Sequence, residues 1–389
     1  MNIVGAILAC LPLLIWIYMI VGRGMFWLAR ERDDGPQPAD PAVWPPVAII
    51  VPARDEADVI ARSIGSLLAQ DYPGSFRVIL VDDGSSDGTA SVAAATATEL
   101  ERGSILTIMT GAPLAPGWTG KLWAMKQGVD AASEDGAPSP KYLLLTDADI
   151  AHTPDNLRRL VARAEAGGLV LTSLMARLSC VTAPEKLMIP AFVYFFAMVY
   201  PFGQVNDPKS RIAGAAGGCM LARADALQAA GGIAAIRTAI IDDCALGAAM
   251  KQQGPIWLGL TDRAESQRPY VSLGEIGRMI SRSAYAQLDY SPLILAGSLA
   301  GLVLTYLAPP LIAIFAPGLL KLAGLAAWTL MAVSFQPMLK FYHRSPLWGF
   351  ALPLIGALYT VFTVKSAVDV WRGRGGFWKG RAQAQAGRA

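Results

Sequence analysis

Three pairs of aspartates in this sequence each lie beside a segment that reads as regular structure. Asp147 and Asp149 flank one small residue after the apolar run Tyr142–Thr146. Carboxylates that close repel one another unless a cation or protons intervene. Hard divalent ions such as Mg²⁺ or Mn²⁺ take oxygen ligands and share them with substrate phosphates. The pair therefore suits a metal bridging a diphosphate. It would also suit a polar strand end capping the next helix, for which Thr153, Pro154 and Asp155 are a start signature. Asp82 and Asp83 follow Arg77–Val81 and lead into Gly84-Ser-Ser-Asp-Gly-Thr89, a run of turn residues. Asp83, next to the glycine, is the one placed to accept hydrogen bonds from a nucleobase or ribose. Asp242 and Asp243 open a helical-looking segment, Asp242–Met250. Neighbours on a helix point apart, so Asp243 is expected as a general base for an acceptor hydroxyl and Asp242 as its capping or supporting neighbour. Lys121 begins another helix, where it opposes the macrodipole. A diphosphate to bind gives it a reason to be there; a solvated position is the alternative. His152 is either a further metal nitrogen or a helix-start residue.

The elements that position these residues alternate. Val47–Val51, Arg77–Val81, Ile105–Met109 and Tyr142–Thr146 are continuous apolar runs, and helical spacing lies between them at Ile60, Ile64, Leu67 and Leu68 and near Ala90–Leu100. Such strands imply an α/β domain whose mostly parallel, Rossmann-like sheet is covered on both faces. Ligands bind beyond the carboxyl ends of strands in such sheets. Those ends are Pro-Ala-Arg-Asp-Glu (52–56), Asp-Asp-Gly-Ser-Ser-Asp-Gly-Thr (82–89) and Asp-Ala-Asp (147–149).

The chain has 389 residues, of which 53% are hydrophobic and only 16% charged, and the apolar surplus sits in long runs. That excludes a disordered chain and a wholly soluble one. A net charge of +3 is too small to argue for nucleic acid. Cys10, Cys180, Cys219 and Cys244 have no paired spacing, which fits a reducing compartment without a disulfide framework or zinc site. Ile3–Val21 is uncharged and long enough to span a bilayer. It has neither the basic start nor the cleavage site of a signal peptide, so residues 1–29 read as an anchor. Arg23, Arg30 and Arg32 place the downstream chain on the cytoplasmic side. Residues 30–46 are polar and proline-rich, a linker. Pro292–Phe315, Leu322–Leu339 and Leu347–Val364 are further runs near spanning length, within 286–370. Lys340, His343 and Arg344 put the second link inside, which leaves the basic tail 371–389 outside, against the charge rule. Either one run is re-entrant or the tail departs from the rule. Leu187–Tyr200 is shorter and aromatic-rich, a buried core helix or an interfacial helix near 187–202.

The order of motifs is distinctive. PARDE at 52–56, VDDGSSDGT at 81–89, TGK at 119–121, TDAD at 146–149, AGGCMLAR at 216–223 and IDDCAL at 241–246 resemble the inverting glycosyltransferases of family 2, over about residues 47–285. The stretches APGWTGKLWA (115–124), DADIAHTPDNL (147–157) and IPAFVYFF (189–196) look more closely like the hopene-associated glycosyltransferases of bacterial hopanoid gene clusters. The resemblance implies a GT-A fold and a nucleotide-sugar donor held by Pro52, Arg54, Glu56 and Asp83, with uridine as the base. It puts Lys121 near the donor and Mg²⁺ or Mn²⁺ on Asp147 and Asp149, Asp149 most directly. It makes Gly217 and Gly218 the close-approach backbone and Asp243 the catalytic base, with Asp242 beside it. Processive relatives carry a Q-x-x-R-W motif. Here Arg282 matches its arginine, while Met279 and Ser283 replace glutamine and tryptophan. Arg278 and Arg282 then either neutralise the leaving diphosphate or face anionic headgroups. The expectation is transfer of one sugar to a membrane lipid, a hopanoid by resemblance, by a multi-pass enzyme of the bacterial inner membrane whose catalytic domain faces the cytoplasm. A processive polysaccharide synthase and a non-catalytic lipid- or nucleotide-binding scaffold are the alternatives.

Overall fold

In the computed structural model the described residues are 3–36, 38–134, 139–378 and 381–382. They divide into two units. One comprises Glu31–Ser179, Gln204–Arg268 and Gly376–Ala389; the other comprises Met1–Arg30, Cys180–Gly203 and Pro269–Gly375.

The first unit is built on a mixed sheet. Its strands are β1 (Val47–Ala53), β2 (Phe76–Asp82), β3 (Leu106–Thr110), β4 (Tyr142–Leu145), β5 (Ile150–His152), β6 (Leu171–Arg177), β7 (Met220–Arg223) and β8 (Ile256–Ser266). Their order is β3-β2-β1-β4-β7-β6-β8-β5. Every residue of β1 is buried, as a central strand covered on both faces requires. Val47, Ile49 and Val51 pack with Ile60, Ile64 and Leu67 of the 60–68 helix and with Ala93 and Ala97 of the 89–99 helix. Ile50 points the other way, to the 120–134 helix, where a Cβ on Gly128 would come within 2.5 Å of it. Only glycine allows that helix to lie so close.

Strand direction decides where the chemistry collects. β1, β2 and β4 are parallel, so their carboxyl ends share one edge. β7 runs antiparallel to β4, with Met220 opposite Leu145, which brings the preceding Gly217 and Gly218 to that edge. β6 is antiparallel to β7 and parallel to β8, so β8 ends there too. β5 pairs antiparallel with β8, Ile150 opposite Ser266, and so starts there.

The proline-rich connector begins as an ordered strap. Asp33 donates its N–H to Leu260 (2.8 Å), and its buried carboxylate lies 3.2 Å from Arg163, with Arg159 and Arg263 nearby. Asp155, at the start of the 156–167 helix, and Arg263 of β8 form a further pair at 3.0 Å.

The second unit is helical. Among the described residues, three helices are long and apolar enough to cross a membrane: Pro292–Phe315, Leu320–Phe341 and Pro346–Trp371. Leu311, Ile314, Phe315, Leu322, Leu325, Leu354 and Val361 are more than half exposed on them, the arrangement expected where lipid is the solvent. The first span has a π turn at Val303–Leu307, just ahead of Pro309 and Pro310, which cannot donate to the ladder. Ile3–Val21 is a helix of 19 residues, as expected.

Two boundaries differ from the sequence reading. The 187–202 segment belongs to this second unit rather than to the sheet domain, and most of it forms a helix, Ala183–Val199, with one well-buried face. Met188, Ile189 and Tyr194 are essentially unexposed, and the Tyr194 hydroxyl is 2.7 Å from Ser334 Oγ. Tyr194 and Phe195 stack edge-on with Phe335, Tyr306 and Tyr359. Residues 269–285 likewise pack in this unit, so the sheet domain ends at Arg268. Of the basic tail, Lys379 and Arg388 lie outside the described residues.

Candidate active site

Lys121 is the hub of the polar cluster at the sheet edge. Carried on the first turn of the 120–134 helix, its ammonium lies 2.8 Å from Asp147 Oδ1 and 2.9 Å from Asp242 Oδ2. One side chain thus joins the end of β4 to the start of the 242–251 helix, segments nearly a hundred residues apart. Asp243 sits beside it. Its Oδ2 accepts the Gly217 N–H at 3.0 Å and its Oδ1 accepts the Cys244 N–H at 2.7 Å. A Cβ on Gly217 would lie 3.4 Å from Lys121 Nζ and 3.5 Å from Asp243 Oδ2, so the bare glycine faces both. Gly218 is a packing glycine: its Cβ would meet Ala176 at 2.9 Å.

The electrostatics follow from this crowding. Burial alone would lower the affinity of Lys121 for its proton, but Asp147 and Asp242 outweigh it and hold the ammonium charged. Asp147 is raised above the usual carboxylate range by burial, with Lys121 opposing and Asp149 adding to the rise. Asp243 is pushed up to about 6, by burial first and then by Asp242, against Lys121 and its two backbone donors. A carboxyl at that value is ionised at neutral pH yet basic enough to take a proton, the range a general base needs.

Asp149 faces a different set of partners. Its Oδ2 accepts from Ser266 Oγ at 3.2 Å and lies 3.7 Å from Arg268 Nε. Arg268 also pairs with Glu56 and approaches Asp58 at 3.8 Å. Arg54 donates to the Asp83 carbonyl and lies 3.8 Å from the Asp83 carboxylate, which is 2% exposed. The two loops that carry these groups are stitched together. The N–H groups of Asp55, Glu56 and Ala57 go to Ser85 Oγ, Thr89 Oγ1 and Asp87 Oδ2 at 2.9–3.0 Å. Asp82 accepts the Ser85 N–H at 3.0 Å, the turn role its sequence suggested.

The sequence-derived residues therefore separate into groups. Lys121, Asp147, Asp242, Asp243 and Gly217 meet directly. Arg54, Glu56, Asp83 and Asp149 lie at the ends of β1, β2 and β4 along the same edge. Pro52 is buried inside β1 opposite Val81 and reaches this edge only as backbone. Arg282 is on the Leu273–Ser283 helix of the other unit. His152 is not a ligand. It is buried with both ring nitrogens engaged, Nδ1 by Asn156 Nδ2 at 2.8 Å and Nε2 by Thr146 Oγ1 at 3.0 Å, and burial lowers it to about 4. Thr146 in turn donates to the Gly218 carbonyl at 2.8 Å, so the chain of bonds ties β4 to β7. Ser266 and Arg268 were not visible in sequence because β8 carries no motif; recognising its apolar core, Ile256–Leu260, as a strand would have pointed to the residues just beyond it.

Among the described residues, no group of three or more His, Cys, Asp or Glu side chains could hold a metal unaided. Two aspartates that feel each other's charge nevertheless fit a hard cation that draws its remaining ligands from water and a diphosphate.

Residues 48–231 match the family model "Glycosyl transferase family 2". The succinoglycan biosynthesis protein ExoO of Rhizobium meliloti (strain 1021) is 34% identical over 124 residues, 32% of this chain and 31% of that protein. An undecaprenyl-phosphate 4-deoxy-4-formamido-L-arabinose transferase of Yersinia enterocolitica is 31% identical over 136 residues, 33% of this chain and 37% of that protein. The chain thus matches about a third of the length of these relatives. The mannosyltransferase PcManGT of Pyrobaculum calidifontis, solved with GDP-Man and Mn²⁺, superposes with a TM-score of 0.53 at 18% identity, covering 93% of this chain and 95% of that one. Residues 48–231 are thus similar to the glycosyltransferases of family 2, and the mixed eight-stranded sheet is a GT-A fold.

Proposed function

We propose that this protein is a membrane-embedded, inverting glycosyltransferase that moves one sugar from a nucleotide donor, a uridine diphosphate sugar, to the hydroxyl of a lipid. The observation that carries the reading is the meeting of Lys121, Asp147, Asp242, Asp243 and Gly217 at the end of a GT-A sheet. Asp147 and Asp149 would hold Mg²⁺ or Mn²⁺, which supplies positive charge to the departing diphosphate. Arg54, Glu56 and Asp83 hold the nucleotide, and the backbone of Pro52 shapes the floor of that site. Asp243 takes the acceptor's proton as the acceptor oxygen bonds to the anomeric carbon. The bond from that carbon to the diphosphate oxygen breaks and leaves its electron pair on the diphosphate. The Lys121 ammonium, fixed before reaction, stabilises that charge without reorganising. The open face of Gly217 leaves room for sugar and acceptor beside the base.

The apolar helices support a lipid acceptor, and the relative that acts on undecaprenyl-phosphate supports the same class. A hopanoid is the acceptor that the motif resemblance favours. The basic residues after Val21 favour the bacterial inner membrane with the sheet domain on the cytoplasmic side. The similarity to a succinoglycan biosynthesis protein favours one second reading, a polysaccharide synthase.

The test is incubation of membranes carrying the protein with a panel of nucleotide sugars, with and without EDTA, and then mass spectrometry of the lipid extract. One lipid gaining the mass of a single sugar, only with metal, supports the proposal. A ladder of masses supports the synthase, and no gain with any donor removes the transfer reading.

A further inference from the structure

We propose that Arg268 is a resident cation of the donor site: it pairs Glu56 with Asp149 and gives both up when a divalent ion and the nucleotide diphosphate bind. The inference rests on the reading of Asp149 as a metal ligand and of Glu56 as a nucleotide-side residue.

Backbone geometry puts Arg268 there. β5 and β8 pair with Ile150 opposite Ser266. The Gln267 N–H donates to the Asp149 carbonyl at 2.7 Å. Ser266 Oγ donates to Asp149 Oδ2 at 3.2 Å and accepts the Arg268 N–H at 3.4 Å. Arg268 therefore comes directly after a segment locked to Asp149, and its placement does not depend on one rotamer. Its guanidinium pairs with Glu56 and lies 3.7 Å from Asp149 and 3.8 Å from Asp58. Three carboxylates from two loops thus converge on one cation.

The contact to Asp149 is an ion pair beyond hydrogen-bond distance. With the arginine side chain 32% exposed, such a pair is weak. A divalent ion on a carboxylate oxygen approaches to about 2.1 Å with twice the charge, so it displaces the guanidinium. The freed guanidinium has a planar fork that matches a phosphate group. Metal alone must then compete with Arg268, whereas metal with a diphosphate gives Arg268 a new partner. Binding of the two becomes positively coupled, and the coupling is reciprocal.

The experiment is a titration of the full-length protein in detergent with Mn²⁺, monitored by electron paramagnetic resonance, with and without UDP. Wild type, Arg268→Gln, Arg268→Lys and Asp149→Asn are compared after thermal unfolding has shown that each is folded. The expected result is that Arg268→Gln binds Mn²⁺ alone roughly two- to fivefold more tightly, because a competing charge is gone. The same variant is expected to lose most of the enhancement of Mn²⁺ binding by UDP, while Arg268→Lys stays near wild type for Mn²⁺ alone. Equal or weaker Mn²⁺ binding by Arg268→Gln overturns the proposal. Equal Mn²⁺ binding by wild type and Asp149→Asn is a different failure, that of the metal-site reading itself.

Discussion

Replacing Asp243 by asparagine tests the assignment of the base and has a cost that can be worked out in advance. Both carboxylate oxygens accept a backbone N–H, from Gly217 and from Cys244. An asparagine keeps one acceptor oxygen and turns its amide toward the other N–H, donor against donor. That mismatch costs about 1–3 kcal/mol of stability, so the variant is compared with wild type at a temperature where both are folded. The catalytic loss is larger. Removing a general base lowers kcat by roughly 100- to 10,000-fold, about 3–5.5 kcal/mol of barrier. Wild type adds a pH signature. With Asp243 held at about 6 by burial and by Asp242, roughly one molecule in ten is ionised at pH 5 and nearly all at pH 7.5, so kcat should rise about tenfold across that range. The assay is the rate of sugar transfer to the lipid extract at saturating donor, with UDP affinity measured in parallel. An Asp243→Asn enzyme within threefold of wild type, or a flat profile between pH 5 and 7.5, would refute the assignment.

Three further outcomes are expected. Gly217→Ala should fold but lose transfer, because its methyl projects between Lys121 and Asp243, whereas Gly218→Ala should lose about 1–3 kcal/mol of stability by clashing with Ala176; denaturation and turnover measured together separate the two. Lys121→Met leaves Asp147 and Asp242 facing each other and should lower stability by about 1–3 kcal/mol, read as a lower Tm, with turnover falling further than stability accounts for. His152 is lowered to about 4 in the folded protein from 6.5, so its contribution is present above pH 6.5 and is lost as pH falls toward 4, by about 3 kcal/mol in all; His152→Gln should flatten that part of the stability–pH curve, measured by chemical denaturation.

Much of the site was legible because its residues come directly after continuous apolar strands. YLLLT announces Asp147, and RVILV announces Asp83. Lys121 was legible through a local conflict, a cation at the positive end of a helix, which its two carboxylate partners resolve. The illegible part was non-local. β6 and β8 carry no motif, and β7 runs against both β4 and β6, so the mixed half of the sheet, and with it Ser266 and Arg268, emerged only from pairing. Tyr194 and its ring partners show the same limit. Composition cannot distinguish a helix whose aromatics meet other aromatics from one whose aromatics meet the membrane surface. His152 is the converse case: its place beside an acidic pair suggested a ligand, while burial and the flanking Thr146 and Asn156 make it a tether.

Whether one edge of the sheet binds the donor with the base beside it is read from a structure of the protein with UDP and Mn²⁺. The metal is expected at about 2.1 Å from oxygens of Asp149 or Asp147, the diphosphate between it and Lys121, and the Asp243 carboxylate open to the space over Gly217. Nucleotide or metal bound away from Asp147 and Asp149, with Lys121 and Asp243 untouched, would contradict that arrangement.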